Sequence, residues 1–183
     1  MKNIIDIEPL TLLDDDLYEC NINLYAWEGF QSRQGPYGSI DKNKISNGKF
    51  KVFINVDQVK KEYTQSQYIA VRYLLDNQKL ILDTLLNSLL VSYNEQKHLY
   101  DNTPNITNMD DFKDHIGLST IHIMKSDKEG LAYIGFEIGC TWDDEHGIGV
   151  MTHKNKVVSI GEADVAFSSW ITQIDNGTSV KNN

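Results

Sequence analysis

Residues 136–167 concentrate the side chains that could do chemistry. Asp143, Glu145 and His146 form a short run in which the carboxylates would suit a hard cation and the imidazole would suit zinc or iron. Their spacing matches neither an EF-hand calcium loop nor the HExxH arrangement of zinc enzymes. A run of acids followed by Gly147 is also what a hairpin turn contains. We therefore predict a turn here, with no bound metal and no cofactor.

Glu137 and His153 form a second candidate, because both are predicted on one face of neighbouring strands, where they could act as an acid–base pair. His146 has the opposite parity to His153, so joint chelation would require the turn to redirect one ring. Cys140 would need a nearby base and a low pKa to act as a nucleophile, yet its position predicts a buried, unreactive thiol. The sequence leaves the catalytic residues unknown. The predicted binding residues are Tyr133, Glu137, Asp143, Glu145, His146 and His153.

The clearest strand pattern covers residues 131–142, where the even-numbered positions are all apolar and the odd-numbered positions are mixed. The turn at 143–146 leads into a further strand over 147–153, and another is predicted over 156–160. If this hairpin has regular register, opposing residues have numbers that sum to an even total. Ile148 and Val150 then lie on the apolar face with the even-numbered residues.

The odd-numbered face of this hairpin is predicted to be open. Its glycines would form a shallow strip, poor in side chains, beside Tyr133, Glu137 and His153. Glycine in a strand allows a backbone or a ligand to approach closely. A binding site is therefore expected on this face, with the 143–146 turn at its rim. The glycines of the strip are Gly135, Gly139, Gly147 and Gly149.

Two more strands are predicted near the start of the chain, one over 17–27 and one over 50–56. The segment 29–48 between them contains Gly-Pro and Asn-Gly turn signals, which predict a loop of about 20 residues. Trp27, Phe30 and Tyr37 are expected at the edges of this loop. Aromatic side chains at such edges could contact a partner.

The segment 66–100 has the spacing of helices. Leucines recur at three- and four-residue steps over 82–90, which is typical of a helix packed on a core, although a partner-binding helix has the same stripe. Asp76 and Asn77 separate this stripe from a shorter one and predict a break between two helices, with one kinked helix as the alternative. A short helix is also predicted over 110–116, ending at Gly117 as its C-cap.

Together these elements predict an α+β fold. An antiparallel β-sheet, mainly a C-terminal meander, is expected to pack against one or two leucine-rich helices. The length of 183 residues suits one domain. We assign residues 1–170 to that domain and residues 171–183 to a polar, disordered tail.

The formal charge of −9 is spread along the chain. Because no basic stripe exists to neutralise phosphates, nucleic acid and anionic membranes are disfavoured as partners, whereas a protein partner is compatible with the charge. A basic partner or plain solubility would each explain it. The N-terminus lacks the apolar core of a secretory signal, and no apolar run reaches about 18 residues. Two cysteines are too few for a disulfide framework. We expect a cytoplasmic protein.

The C-terminal half resembles an uncharacterised bacterial family, a domain of unknown function. Its members share the pattern C-x-W-D-x-E-H-G-x-G-V, found here at 140–150, followed by H-x-x-x-V-x-x-x-G-x-A-D-x-A, found at 153–166. The leucine-rich middle also fits, so the likeness covers most of residues 10–167. The resemblance implies no mechanism. Some relatives are carried near toxin–immunity loci, which implies an immunity-type or other binding role.

Two classes of function follow. The favoured one is a non-enzymatic cytoplasmic binding module, of which an immunity-type protein is one form, acting through the open sheet face and the 29–48 loop. The alternative is a small metal-dependent or acid–base hydrolase centred on the 137–153 hairpin. Convergence of the predicted binding residues on one pocket would favour the enzyme, and their separation would favour the binding module.

Overall fold

Within the part of the chain that the structure describes, seven β-strands in one sheet form the frame of the protein. The computed structural model describes residues 10–14, 16–33 and 44–178. The strands, numbered β1 to β7 in chain order, are Thr11–Asp14, Leu17–Asn23, Lys49–Asn55, Ile116–Lys128, Leu131–Cys140, Ile148–His153 and Lys156–Gly161. Tyr37, one of the three aromatic residues expected at the edges of the long loop, lies outside the described ranges.

The order of the strands across the sheet is their order in the chain. Neighbouring strands are antiparallel except for β3 and β4, which run parallel. A parallel pair requires a crossover connection, and helices α1 (Gln65–Asp76) and α2 (Gln78–Gln96) lie within it. The predicted α+β fold is confirmed, with β4 to β7 as the C-terminal meander.

The two helices begin and end at residues with clear physical roles. Thr64 Oγ1 accepts a hydrogen bond from the Gln67 N–H, and Gln67 Oε1 accepts one from the Thr64 N–H at 2.8 Å, which is a capping box. Asn77 lies between the helices with a φ of −123°, and its side chain donates to the Tyr73 carbonyl oxygen. The predicted helix break is therefore confirmed.

Both helices pack on the same face of the sheet and bury the predicted leucine stripe. The even-numbered residues of β5 lie opposite the helices, and each is inaccessible to solvent. Burying one such large apolar side chain contributes about 1.5–3 kcal/mol to stability. The buried residues of this face include Leu74, Leu82, Leu85, Leu89, Ile134, Phe136, Ile138, Cys140, Ile148 and Val150.

The β5–β6 hairpin has the register that the sequence predicts. Phe136 pairs with Val150 and Ile138 pairs with Ile148, so the paired numbers have even totals. Ile148 and Val150 thus share the apolar face with the even-numbered residues of β5. The pairing of β4 with β5 is less regular, because its register shifts between Leu118 and Thr120.

Three local predictions differ from the structure. The N-terminal strand ends at Asn23, and a 3₁₀ turn, Tyr25–Trp27, follows it. The short helix predicted over 110–116 is a 3₁₀ helix, Met109–Asp114. Its N-cap is Asn108, whose side chain accepts hydrogen bonds from the N–H groups of Asp110 and Asp111. The expected C-cap, Gly117, lies within β4 instead, because pairing with β5 already begins at Ile116.

The first part of the tail that was predicted to be disordered from residue 171 is ordered. Residues Ser169–Asp175 form helix α3, and Thr172 within it is fully buried. Ile171 packs against the buried cluster of Met124, Tyr133 and Met151, so these contacts hold the helix on the sheet. Residues 179–183 lie outside the described ranges. None of the helices in those ranges is long and apolar enough to cross a membrane.

Candidate functional site

The odd-numbered face of β5 is covered by the chain itself, so the predicted open glycine strip is wrong. A Cβ atom on Gly135 would lie 1.6 Å from the Ala166 carbonyl oxygen, and one on Gly149 would lie 2.4 Å from that of Glu162. The 3₁₀ helix Ala163–Phe167 therefore rests directly on the strand backbones. Glycine is needed here for close backbone packing rather than for ligand access.

The segment 31–33 covers the other end of the same face. Gly117 lies beneath the Gln31 carbonyl oxygen, which a Cβ atom would approach to 2.1 Å. Arg33 is fully buried, and its Nη1 donates to the Cys140 carbonyl oxygen at 3.1 Å and to Asp144 Oδ1 at 2.9 Å. Asp144 of the acidic turn thus anchors a neighbouring segment. Trp27 and Phe30, expected as exposed loop aromatics, are each 2% exposed and belong to the core.

Glu137 is paired with a histidine that the sequence did not single out. Glu137 Oε2 lies 3.3 Å from His122 Nε2, and the two side chains are only 12% and 10% exposed. The rings of Phe53 and Phe167 lie 5.6 Å and 5.2 Å from the His122 ring. The register shift in β4 brings His122 to the same face of the sheet as Glu137. No pattern in the sequence predicted that shift.

The expected Glu137–His153 pair is not formed. Glu137 lies opposite Gly149, whereas His153 is four residues further along β6. His153 Nε2 is 2.8 Å from the Lys128 carbonyl oxygen, and its ring lies 5.0 Å from that of Tyr133. His153 and Tyr133, both predicted binding residues, therefore contact each other at the end of the β5–β6 hairpin that lies away from the 143–146 turn.

Tyr133 connects this contact to α3. Its hydroxyl donates to Asp175 Oδ2 at 2.8 Å, and Lys128 Nζ donates to the same oxygen at 3.0 Å. Burial, and then the hydrogen bond to Asp175, raises the pKa of Tyr133. The Tyr133 hydrogen bond, followed by that from Lys128, lowers the pKa of Asp175. A tyrosine that stays protonated beside an ionised aspartate is suited to anchoring a helix.

The remaining predicted residues lie in the 143–146 turn. Asp143 Oδ1 accepts from the His146 N–H at 3.0 Å and lies 2.9 Å from His146 Nδ1. That hydrogen bond, with the charge of Asp143, raises the pKa of His146. Glu145 is exposed at the tip. Across the described ranges, no group of three or more His, Cys, Asp or Glu residues could hold a metal ion.

Cys140 is excluded as a nucleophile by its surroundings. The thiol is buried and contacts the Asp143 carbonyl oxygen at 3.5 Å. Burial raises its pKa to about 12, so the reactive thiolate is not populated near neutral pH.

A cavity of about 390 Å³ opens beside the 143–146 turn, on the helix-covered face of the sheet; we call it the aromatic cleft. Tyr93 and Trp142 form its inner wall, with ring centroids 4.8 Å apart. Of the described residues that line it, Glu162 is the one that carries a charge. The lining residues are Leu89, Ser92, Tyr93, Gln96, Leu99, Tyr100, Trp142, Gly147, Ile148, Ile160, Gly161 and Glu162.

Helix α3 and the turn before it expose a row of large apolar side chains, which we call the apolar stripe. Phe167 is 44% exposed, Trp170 64% and Ile174 50%. The four-residue spacing of Trp170 and Ile174 places them on one side of α3, while Ile171, Thr172 and Asp175 face the sheet. Phe167 ends the 3₁₀ helix Ala163–Phe167 just before α3. Phe167 also lines a cleft of about 510 Å³ whose other walls include Asp57, Val59 and Lys125.

The site and the fold together define an α+β domain with two accessible clefts and, among its described residues, no group of side chains that could hold a metal ion. The profile of a family described as a domain of unknown function, DUF6985, matches residues 22–167. The chain belongs to this family, in agreement with the expected uncharacterised family. No curated protein and no solved structure matches it.

Proposed function

We propose that this protein is a non-enzymatic, cytoplasmic binding module that docks a protein partner on the apolar stripe. The observation that supports the proposal most is the 64% exposure of Trp170 on a helix whose opposite side is buried. Tryptophan contributes disproportionately to protein–protein affinity; Ile174 lies on the same side of α3, and Phe167 is exposed just before the helix. Leaving three such side chains in water is unfavourable unless a partner covers them.

Charge complementarity favours a basic partner. The chain carries a formal charge of −9, which accelerates association with a positively charged protein and disfavours an acidic one. Asp16 and Asp57 lie in the cleft beside Phe167, and the hydrogen bond from Lys125 lowers the pKa of Asp57 to about 2. Asp57 is paired with Lys125 at 2.8 Å, so the preference for a basic partner comes from the net charge of the chain rather than from this cleft.

The test compares two variants as baits in extracts of the organism that encodes the protein. Trp170→Ala removes the centre of the stripe, and Val91→Ala is the matched control, because Val91 is 60% exposed on α2. The captured partner is then purified, and its affinity for each variant is measured by calorimetry. We expect Trp170→Ala to weaken binding about thirtyfold or more and Val91→Ala to leave it unchanged.

Three outcomes would contradict this proposal. Equal binding by both variants would place the contact elsewhere. An acidic partner would contradict the charge argument. Wild-type self-association that Trp170→Ala abolishes, measured by sedimentation, would assign the stripe to a second copy of the chain.

An immunity-type role is a specific form of this proposal, supported by the resemblance of the C-terminal pattern. It predicts that the partner is toxic when expressed alone and harmless when the protein is co-expressed. Protection by Val91→Ala and loss of protection by Trp170→Ala are the expected results in a growth assay. A partner that is harmless on its own would remove this form of the proposal.

The His122–Glu137 pair supports a second candidate, an acid–base hydrolase. The two groups are in contact and largely shielded from water, which is a suitable environment for proton transfer. Purified protein would then hydrolyse model esters or amides, and His122→Gln would reduce the rate about 100-fold or more. Equal rates for wild type and variant would reject this candidate.

A further inference from the structure

The aromatic cleft has features of a small-molecule site that is separate from the apolar stripe. Its volume of about 390 Å³ falls within the usual range of ligand pockets, roughly 300–1,000 Å³. It lies between the end of α2 and the 142–148 turn, on the opposite face of the sheet from α3. Binding here would not require the partner proposed above.

The inner wall of the cleft is made of aromatic rings held in place by the core. Tyr93 is 3% exposed, and its hydroxyl donates to the Pro104 carbonyl oxygen, so this side chain is held in place at the bottom of the cavity. Trp142 is 9% exposed and packs at 6.3 Å from Phe112 as well as against Tyr93. Both rings are therefore fixed before any ligand binds, which lowers the entropic cost of binding.

The charge among the described lining residues of the cleft is negative. Glu162 lines its mouth and is exposed to solvent. Tyr100, a third aromatic wall, is half-buried; burial raises its pKa, and the negative charges of Asp143 and Glu162 raise it further. Of the lining residues that the structure describes, none is a lysine, an arginine or a histidine. His146 lies just outside, with its ring held by Asp143.

We propose that the aromatic cleft binds a small organic cation, such as an alkylammonium compound, between Trp142 and Glu162. A cation near aromatic rings is attracted by their electron-rich faces, and the attraction is stronger where water is excluded. A neutral ligand of the same shape lacks both this attraction and the attraction of Glu162. An anion would be repelled by Glu162.

The test uses choline and its uncharged carbon isostere, 3,3-dimethyl-1-butanol, as probes on the full chain. Binding is followed by the indole resonance of Trp142 in NMR spectra. We expect a saturable shift with choline and at least a fivefold weaker response to the isostere, as expected for a cation–aromatic attraction of about 1 kcal/mol or more. Equal responses to the two probes, or no saturable shift with choline, would overturn the proposal.

Matched variants localise the charge effect. Glu162→Gln should weaken choline binding about fivefold, whereas Glu145→Gln, an exposed acid of the same turn region outside the lining, should leave it unchanged. Both residues are exposed, so both variants are expected to fold. Equal weakening by the two variants would show only a general effect of net charge and would contradict the proposed site.

A further experiment distinguishes a free small cation from a cationic side chain of another protein as the ligand of the cleft. A short peptide containing trimethyl-lysine presents the same cation on a polypeptide. Tighter binding of the peptide than of choline would overturn the assignment to a small molecule, and equal or weaker binding would support it. Trp170→Ala should not alter choline binding, so failure of the apolar-stripe proposal and failure of this one can be told apart.

Discussion

At Gly135 the sheet passes directly beneath the backbone of Ala166. Gly135→Ala would place a Cβ atom 1.6 Å from a carbonyl oxygen, so the 163–167 segment must move. We expect a loss of about 3 kcal/mol in the free energy of unfolding, measured in urea. Gly161→Ala is the control: its nearest contact is a side-chain methyl group of Val165 at 2.8 Å and not a backbone atom, so a smaller loss of about 1 kcal/mol is expected. Equal losses would contradict the proposed backbone contact.

His146 and Asp143 make the turn sensitive to pH. The hydrogen bond to Asp143 raises the pKa of His146 above its ordinary 6.5. Because the folded-state pKa is the higher one, this pair stabilises the protein fully below about pH 6.5 and loses that effect as the pH rises through the folded-state pKa. NMR titration of Asp143→Asn should show a lower pKa for His146.

The control for that titration is Glu145→Gln. Glu145 is the last of the causes that raise the His146 pKa, acting by charge alone. We therefore expect only a small change in this variant. A larger change in Glu145→Gln than in Asp143→Asn would contradict the hydrogen-bonded pair.

At the scale of elements, α3 is attached to the sheet through polar contacts as well as apolar ones. Tyr133→Phe removes the hydroxyl that donates to Asp175 while keeping the ring. We expect a cost of about 1–2 kcal/mol and faster hydrogen exchange in residues 169–178. The contact lowers the pKa of Asp175. The stabilisation by this contact is therefore present above about pH 3.8, the ordinary pKa of aspartate, and is lost as the pH falls through the lower pKa of Asp175 in the folded protein.

Tyr18→Phe provides the matched control for α3. The Tyr18 hydroxyl donates to the Lys61 carbonyl oxygen at an exposed site, so its loss should cost about 0.5 kcal/mol or less. Unchanged exchange across 169–178 in Tyr133→Phe would mean that the apolar contacts of Ile171 hold α3 by themselves.

At the scale of the whole molecule, the parallel pairing of β3 and β4 joins the N-terminal strands to the C-terminal meander. We therefore predict that the described part of the chain unfolds as one domain. In two variants, each keeping only Trp27 or only Trp142 of the three tryptophans, the fluorescence transition in urea should coincide with that of far-UV circular dichroism. Separate midpoints within either variant would indicate independent units.

Much of the fold could be predicted because its signals are local. The alternation in β5, the leucine steps of α2 and the polar Asn77 each depend on a few neighbouring residues. The short C-terminal elements could not be predicted in the same way. The polar residues of α3 resemble a frayed tail in sequence, and only contacts of Ile171 and Asp175 with distant strands explain the helix.

The candidate sites were less predictable than the fold, because they depend on which segments cross the sheet. The sequence by itself determined the apolar face, the hairpin register and the acidic turn, since strand periodicity and turn chemistry are local properties. The tertiary structure decided that the glycine strip is covered by Ala163–Phe167 and that Glu137 contacts His122 instead of His153. It also placed Trp142 and Glu162 beside one cavity. Those outcomes follow from long-range packing, which no local pattern encodes.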